Sequence, residues 1–334
     1  MKSYIHTYAA LTLGLTLAAC GGGTASNAAP VISGVTVSAS PIQRGASVDI
    51  TVHASDPNGD PLTYTFSRGT CDGSLSGGAE GVPQAASTVT FNASNAFGAC
   101  ALKVTVADGH GHSVDGSANL VVDPARTFPV TPTTPTALSN VAGVTGDGAP
   151  GFGSGSIKAS GTPKAELYFK PVDLFGHAVT LGQIASVSYW TKKDTTHAVD
   201  VHDWFLAIYT DMYAGQTGGW YGARIGAEPY LADNIDETPG SWTKWSTDGA
   251  ENQLRFFEST YGYFGSSSDP AWSAFVAGSS LTGANSAVAV PYEAQQVQFL
   301  SVQTASSAAG FQGQLDGIRI ELKDGAIAEI DLQP

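Results

Sequence analysis

Three groups of side chains have the types and spacing for chemistry. The first is Asp56-Pro-Asn58-Gly-Asp60, where oxygen ligands recur at alternate positions around a Gly-containing turn, an arrangement able to face one hard cation such as calcium. A twelve-residue calcium loop begun at Asp56 would need glycine at 61 and glutamate at 67. Pro61 and Ser67 stand there instead. The same residues also make a tight turn, with Asp and Asn bonding their own backbone and Gly59 at positive φ. That turn is the plainer account, and Asp108 is the further ligand expected if calcium binds. The second group is aromatic: Trp220 and Tyr221 in Gly218-Gly-Trp-Tyr-Gly222, and Trp242 and Trp245 in Pro239-Gly-Ser-Trp-Thr-Lys-Trp245. In Gly-rich loops these rings form either a platform for the C–H face of a sugar or packing beneath long loops. Trp190, Trp204 and Trp272 follow strand phase and are expected in the core.

The third group is histidine and carboxylate. His110 and His112 fall in a connecting turn and are expected to be solvated, while His197, Asp200, His202 and Asp203 cluster in sequence. In a strand His197 and His202, five apart, would point to opposite faces, which argues against a shared metal site. The final Glu329-Ile-Asp331 superficially resembles the acid and nucleophile strand of jelly-roll glucanases, but Pro334 stands where the second glutamate should. There is no Gly-x-Ser-x-Gly elbow, phosphate loop or dinucleotide fingerprint. The expectation is a protein that is not an enzyme, with no cofactor required and calcium as the one metal to test for.

The elements holding these groups are strands. Apolar alternation with β-branched enrichment recurs at residues 35–38, 48–54, 62–66, 88–91, 101–107 and 118–122, then at 165–170, 184–190, 204–210, 253–257, 297–302 and 317–322. No window has the 3.6 periodicity of an amphipathic helix. The expected class is all-β, with an Ig-like β-sandwich over residues 30–123 and a larger jelly-roll-like β-sandwich over 136–334. Between them residues 124–135 carry Pro124, Pro129, Pro132 and Pro135, and are expected to run as an extended, semi-rigid linker. Cys71 and Cys100 sit in the first stretch without CxxC spacing, and pair as a disulfide or remain two buried thiols.

The N-terminus carries an address. Lys2 precedes an apolar stretch, residues 8–19, too short for the ~20 residues that cross a bilayer. Residues 1–19 therefore constitute an export signal, and residues 20–29, rich in glycine and small polar side chains, a flexible tether. Leu17-Ala-Ala-Cys20-Gly21 resembles a bacterial lipobox, which implies a lipid on Cys20 and a membrane partner through that anchor. Gly21, rather than aspartate, suggests by the same resemblance delivery to an outer membrane. With 15 basic against 29 acidic residues and a net charge of −14, nucleic acid is excluded as a partner.

Two further resemblances follow from the residues. Ser55-Asp-Pro-Asn-Gly-Asp-Pro-Leu-Thr-Tyr-Thr-Phe66, with Leu102-Lys-Val-Thr-Val-Ala-Asp-Gly-His-Gly111 and residues 118–122, resembles the Ig-like, PKD and cadherin-like repeats of bacterial surface proteins. Gly313-Gln-Leu-Asp-Gly-Ile-Arg-Ile-Glu-Leu322 is similar to the last strand of carbohydrate-binding and laminin-G-like jelly rolls. Together they imply a binding module presented on an Ig-like spacer, with glycan as the preferred ligand and another envelope or surface protein as the alternative.

Overall fold

The computed structural model describes residues 26–77, 85–132, 137–161, 164–198, 201–212, 219–258, 268–281 and 289–334. The signal segment and Cys20 lie outside the described residues. The chain is all-β, as expected, and builds two sandwiches. In the first, one sheet has the order β1 (Val31–Val37), β3 (Ser47–Ser55), β6 (Ala86–Ala93), β5 (Gly73–Gly77). The facing sheet runs β2 (Ile42–Gln43), β8 (Ser113–Asp123), β7 (Gly98–Ala107), β4 (Thr63–Ser67). Strand β3 shows why the alternation is informative: Val48, Ile50, Val52 and Ala54 are buried, and the residues between them face outward. Cys71 and Cys100 form a disulfide with Cα atoms 4.9 Å apart.

The second sandwich encloses a larger core between two sheets. One runs β10 (Ala137–Ser139), β13 (Glu166–Phe169), β21 (Val297–Gln303), β15 (Phe205–Thr210), β16 (Arg224–Ala227), β18 (Phe257–Glu258). The other runs β11 (Val141–Thr145), β12 (Gly155–Ala159), β22 (Gln314–Leu322), β14 (Ile184–Lys192), β17 (Trp242–Ser246). Strand β23 (Ile327–Leu332) continues this sheet beside β22. A hairpin, β19 (Ser279–Leu281) with β20 (Ala289–Pro291), stands apart. Helix α1 (Pro171–Phe175) starts on proline and ends at Gly176 with φ +79°. Helix α2 (Trp272–Val276) closes one end of the core with Trp272, Phe275 and Val276.

The expected linker is corrected. Residues 125–130 form β9 (Ala125–Val130), which pairs parallel with β23 from Ile327↔Ala125 to Leu332↔Val130. Proline is compatible with this because β9 lies at the sheet edge, where the absent amide of Pro129 interrupts no ladder on the open side. The second sandwich thus begins inside the proline-rich segment, and the two sandwiches touch. Arg44, only 2% exposed, donates from Nη2 to the Ile327 carbonyl at 2.5 Å and lies 5.7 Å over the Phe175 ring. The Asn95 side chain reaches Gly176, where a methyl group would stand 2.2 Å from its amide, and the φ of +79° is what favours glycine there. The first sandwich is docked on the second through these groups instead of hanging on a free linker.

Candidate functional site

The acidic cluster is assembled by two turns. The β3–β4 turn carries Asp56, Asn58 and Asp60, and the end of β7 carries Asp108. Carboxylate oxygens of Asp56, Asp60 and Asp108 lie within 4.8 Å of one another. Asp56 Oδ1 does the turn's work, accepting from the amides of Asn58 at 2.7 Å and Asp60 at 3.2 Å, while Gly59 takes φ +82°. Asp56 Oδ2 is buried with no hydrogen-bond partner. The turn and a cation-facing oxygen are therefore compatible in one residue. Asn58 faces elsewhere, its Oδ1 accepting from the Ala28 amide at 2.7 Å. Asp108 is 1% exposed. Burial pushes its carboxyl up, but the amides of His110 and His112, the Asn27 side chain and the His112 ring outweigh that and hold it down at about 2. His110 and His112 also face this cluster, with His110 Nδ1 3.5 Å from Asp60 Oδ2. The carboxylates fit a hard cation in chemistry and separation.

The four loop aromatics do not form one platform. Trp245 is corrected outright: it is 1% exposed in the main core, and its Nε1 donates to Thr191 Oγ1 at 2.8 Å. Trp242 and Trp245 are three apart in a strand, so they must occupy opposite faces. Trp242 faces out from the sheet of β14 and β17, half-buried, with Nε1 donating to Asp147 Oδ1 at 3.2 Å. Asp147 also accepts from Lys192 and Gln314. Trp190, expected in the core, lies on this same outer face, packed with Phe152 over Gly317, where a Cβ would meet either ring within 2.9 Å. Trp204 and Trp272 are core residues, as expected.

Trp220 and Tyr221 belong to the opposite sheet. The Trp220 ring, 50% exposed, stacks on Tyr209 with centroids 4.9 Å apart and planes inclined by 28°. Tyr221 meets both edge-on, at 5.3 Å from Tyr209 and 4.8 Å from Trp220. Phe299 lies 6.1 Å from Trp220, and Tyr168 is 5.8 Å from Phe299. Tyr168, Tyr209 and Phe299 rise from three adjacent strands, β13, β15 and β21, on the face turned away from the main core. This is why β15 is buried along its whole length: Leu206 and Ile208 enter the core, while Phe205, Ala207 and Tyr209 support the aromatic cluster. The sequence placed Trp220 and Tyr221 in a loop correctly but carried no local sign of the three strand rings beneath them.

Among the polar groups weighed from sequence, His197 bonds Asp194 Oδ2 at 3.1 Å and His202 Nε2 meets Ser307 Oγ at 3.2 Å, so they do not converge; Asp200 lies outside the described residues. Asp203 stands just before β15, outside any strand, and is only 5% exposed. Burial pushes its carboxyl well above the usual range, and neighbouring Glu237 adds to this. Glu329 faces Arg319, with 3.6 Å between them, and Asp331 accepts from the Gly153 amide.

Comparison with known proteins bears on the first sandwich. Residues 27–123 match the family model of a bacterial Ig domain. No curated protein matches the chain. Among solved structures, a carbohydrate-binding module of the β-sandwich superfamily is 14% identical, over 92% of this chain and 100% of its own, with a TM-score of 0.26. The Yersinia pseudotuberculosis adhesin InvE is 12% identical over 93% of this chain and 61% of its own, with a TM-score of 0.25. FdeC, an Escherichia coli adhesin, is 16% identical over 68% and 65%, also at 0.25. The chain thus spans less than two thirds of either adhesin structure, and at these scores none of the three bears on function.

Proposed function

We propose that this chain is an exported, lipid-anchored binding protein whose second sandwich holds a glycan on the Trp220–Tyr221 platform. The observation that carries this is the Trp220 ring, half exposed yet fixed by its stack on Tyr209. A rigid, open indole face offers a sugar ring its contact without the entropy of ordering a free side chain. Cys20 supplies the anchor in this proposal, and the docked first sandwich stands between its tether and the platform.

Binding of the full chain to a polysaccharide panel, measured by calorimetry, tests the platform. Losing a central aromatic anchor costs about 2 kcal/mol, so Trp220→Ala is expected to weaken binding roughly 30-fold. Trp242→Ala, on the other face, is expected to leave it unchanged. Equal losses from both substitutions, or none from Trp220→Ala, would remove the platform from this proposal.

Calcium takes a structural place in the same proposal, held by Asp56, Asp60 and Asp108 near the start of the first sandwich. The supporting observations are the 4.8 Å grouping and the unpartnered Asp56 Oδ2. Extracellular calcium modules bind at about 0.1 to 1 mM, so 1 mM calcium is expected to add roughly 0.4 to 1.4 kcal/mol to the first sandwich. Thermal melts with calcium and with chelator would show a rise of a few degrees, lost in Asp60→Asn. Coincident melts would end the proposal.

A further inference from the structure

The platform has a charge pattern that its sequence neighbours conceal. Register places Phe299 opposite Tyr209 and Tyr209 opposite Arg224, so one row crosses β21, β15 and β16. At the other end Lys170, just past β13, sets its Nζ 5.7 Å from the Phe299 ring centre. The row therefore reads Lys170, Phe299, Tyr209, Arg224. Its four positions span three interstrand spacings, roughly 14 Å. Trp220 lies over Tyr209, in the middle.

Cations are scarce in this chain, 15 against 29 acids, which makes one at each end of an aromatic row informative. Lys170 is exposed, and among the described residues it forms no ion pair. Arg224 is half-buried and shares its charge with Glu228, whose carboxyl is pushed up by burial and eased down by Arg224. Glu166, the acid on β13 itself, is engaged: it pairs with Lys164 and accepts from the Tyr168 hydroxyl. The row thus leaves Lys170 without an ion pair among the described residues, over Phe299 at the edge of the ring cluster that carries the open indole. A polyanion approaching a protein of net charge −14 is repelled at long range, but ionic strength near 0.15 M screens that field beyond about 8 Å. Within that distance the contact is decided by the local groups.

We propose that the ligand of the Trp220 platform is an acidic glycan, its sugar ring stacked on Trp220 and its carboxylate or sulfate held by Lys170. Arg224 supports a second anionic group at the far end of the row. This rests on the glycan proposal above and narrows it to a ligand class. A carboxylate on a hexose ring lies at the ring edge, which is where Lys170 stands relative to the aromatic floor. The ammonium contact also requires that the acid be ionised.

Calorimetry with the full chain tests it, using polygalacturonate and alginate, each against its methyl-esterified counterpart, and a sulfated galactan against its desulfated form. At least one acidic polymer is expected to bind, with its neutralised form at least ten-fold weaker. Lys170→Ala should weaken the acidic form about five- to ten-fold and leave the neutral form unchanged, and Lys170→Glu should weaken it further. Trp220→Ala should lower both. Unchanged melting temperatures for the Lys170 variants, expected for an exposed side chain, exclude misfolding as the cause. Equal affinity for the acidic and neutral forms, or equal loss of both in Lys170→Ala, would overturn the acidic class while leaving the glycan platform standing. Binding to none of these polymers or to neutral glucans, galactans and xylans would overturn both.

Discussion

Replacing Cys71 and Cys100 by serine is expected to lower the melting temperature of the first sandwich by roughly 12 to 32 °C, the largest change for any substitution considered for this chain. The bridge joins positions 29 apart. Closing a loop of that size removes unfolded-state entropy worth about 3 to 4 kcal/mol in the chain-entropy account. In a domain of about 95 residues each kcal/mol moves the midpoint by about 4 to 8 °C. The location adds to the effect. Cys71 is 5% exposed within the core cluster that includes Ile50, Phe91 and Leu120. It lies on the crossing from β4 to β5, which belong to different sheets, while Cys100 is on β7. The bridge therefore ties the crossover to the strand beside which β4 lies. Calorimetry with and without reductant reads the effect. A shift of under 5 °C would mean that the core holds the crossover alone.

What the sequence disclosed depended on whether a signal was local. Strand alternation was legible wherever one face is wet, as in β3, because period two survives there. At β15 it marked the strand but not its sides, since Phe205–Thr210 is buried on both faces and no residue type marks which side is the main core. The proline-rich segment misled for a related reason. Proline density describes a chain by itself, whereas β9 owes its structure to β23, some 200 residues away. The separation of Trp242 and Trp245 did contain their division between two faces, but the flanking Pro239 and Gly240 favoured a loop, and β17 begins just beyond them. The Asp-Asn turn was legible, since its hydrogen bonds span two to four residues. The rings beneath Trp220, and the pairing of Asp203 with Glu237, join residues from 11 to about 80 positions apart and leave no trace in composition or spacing.

The second sandwich is expected to melt at a higher temperature at pH 5 than at pH 8, a direction set by two buried carboxyls. Asp203 accepts from the Thr191 hydroxyl at 2.8 Å and from the Trp204 amide at 2.7 Å. Lys193 bonds Glu237 Oε2 at 3.3 Å, while Glu237 Oε1 is buried without a donor. A proton on Asp203 supplies that donor, and the phenol of Tyr189 adds no charge, since burial and the nearby acids push it well above its usual range. Asp316, fully buried, is pushed by burial to about 6, although the amides of Ala149, Leu332 and Gly317 pull it back. Both carboxyls titrate higher in the folded chain than in the unfolded one. Their contribution is therefore complete below the unfolded value, near 4, and is lost as pH rises through the folded values. For Asp316 alone, moving from pH 5 to pH 8 removes about 1.4 kcal/mol, worth some 3 to 6 °C in a domain of this size, and Asp203 adds to it. Asp108, held near 2, contributes equally at both values. Asp203→Asn separates the two sources, because an amide keeps a donor for Glu237 Oε1 without a titrating proton. The slope of melting temperature against pH should flatten in that variant, leaving the part due to Asp316. An unchanged slope would mean that Asp203 is ionised beside Glu237 in the folded chain, with Lys193 alone compensating two buried charges.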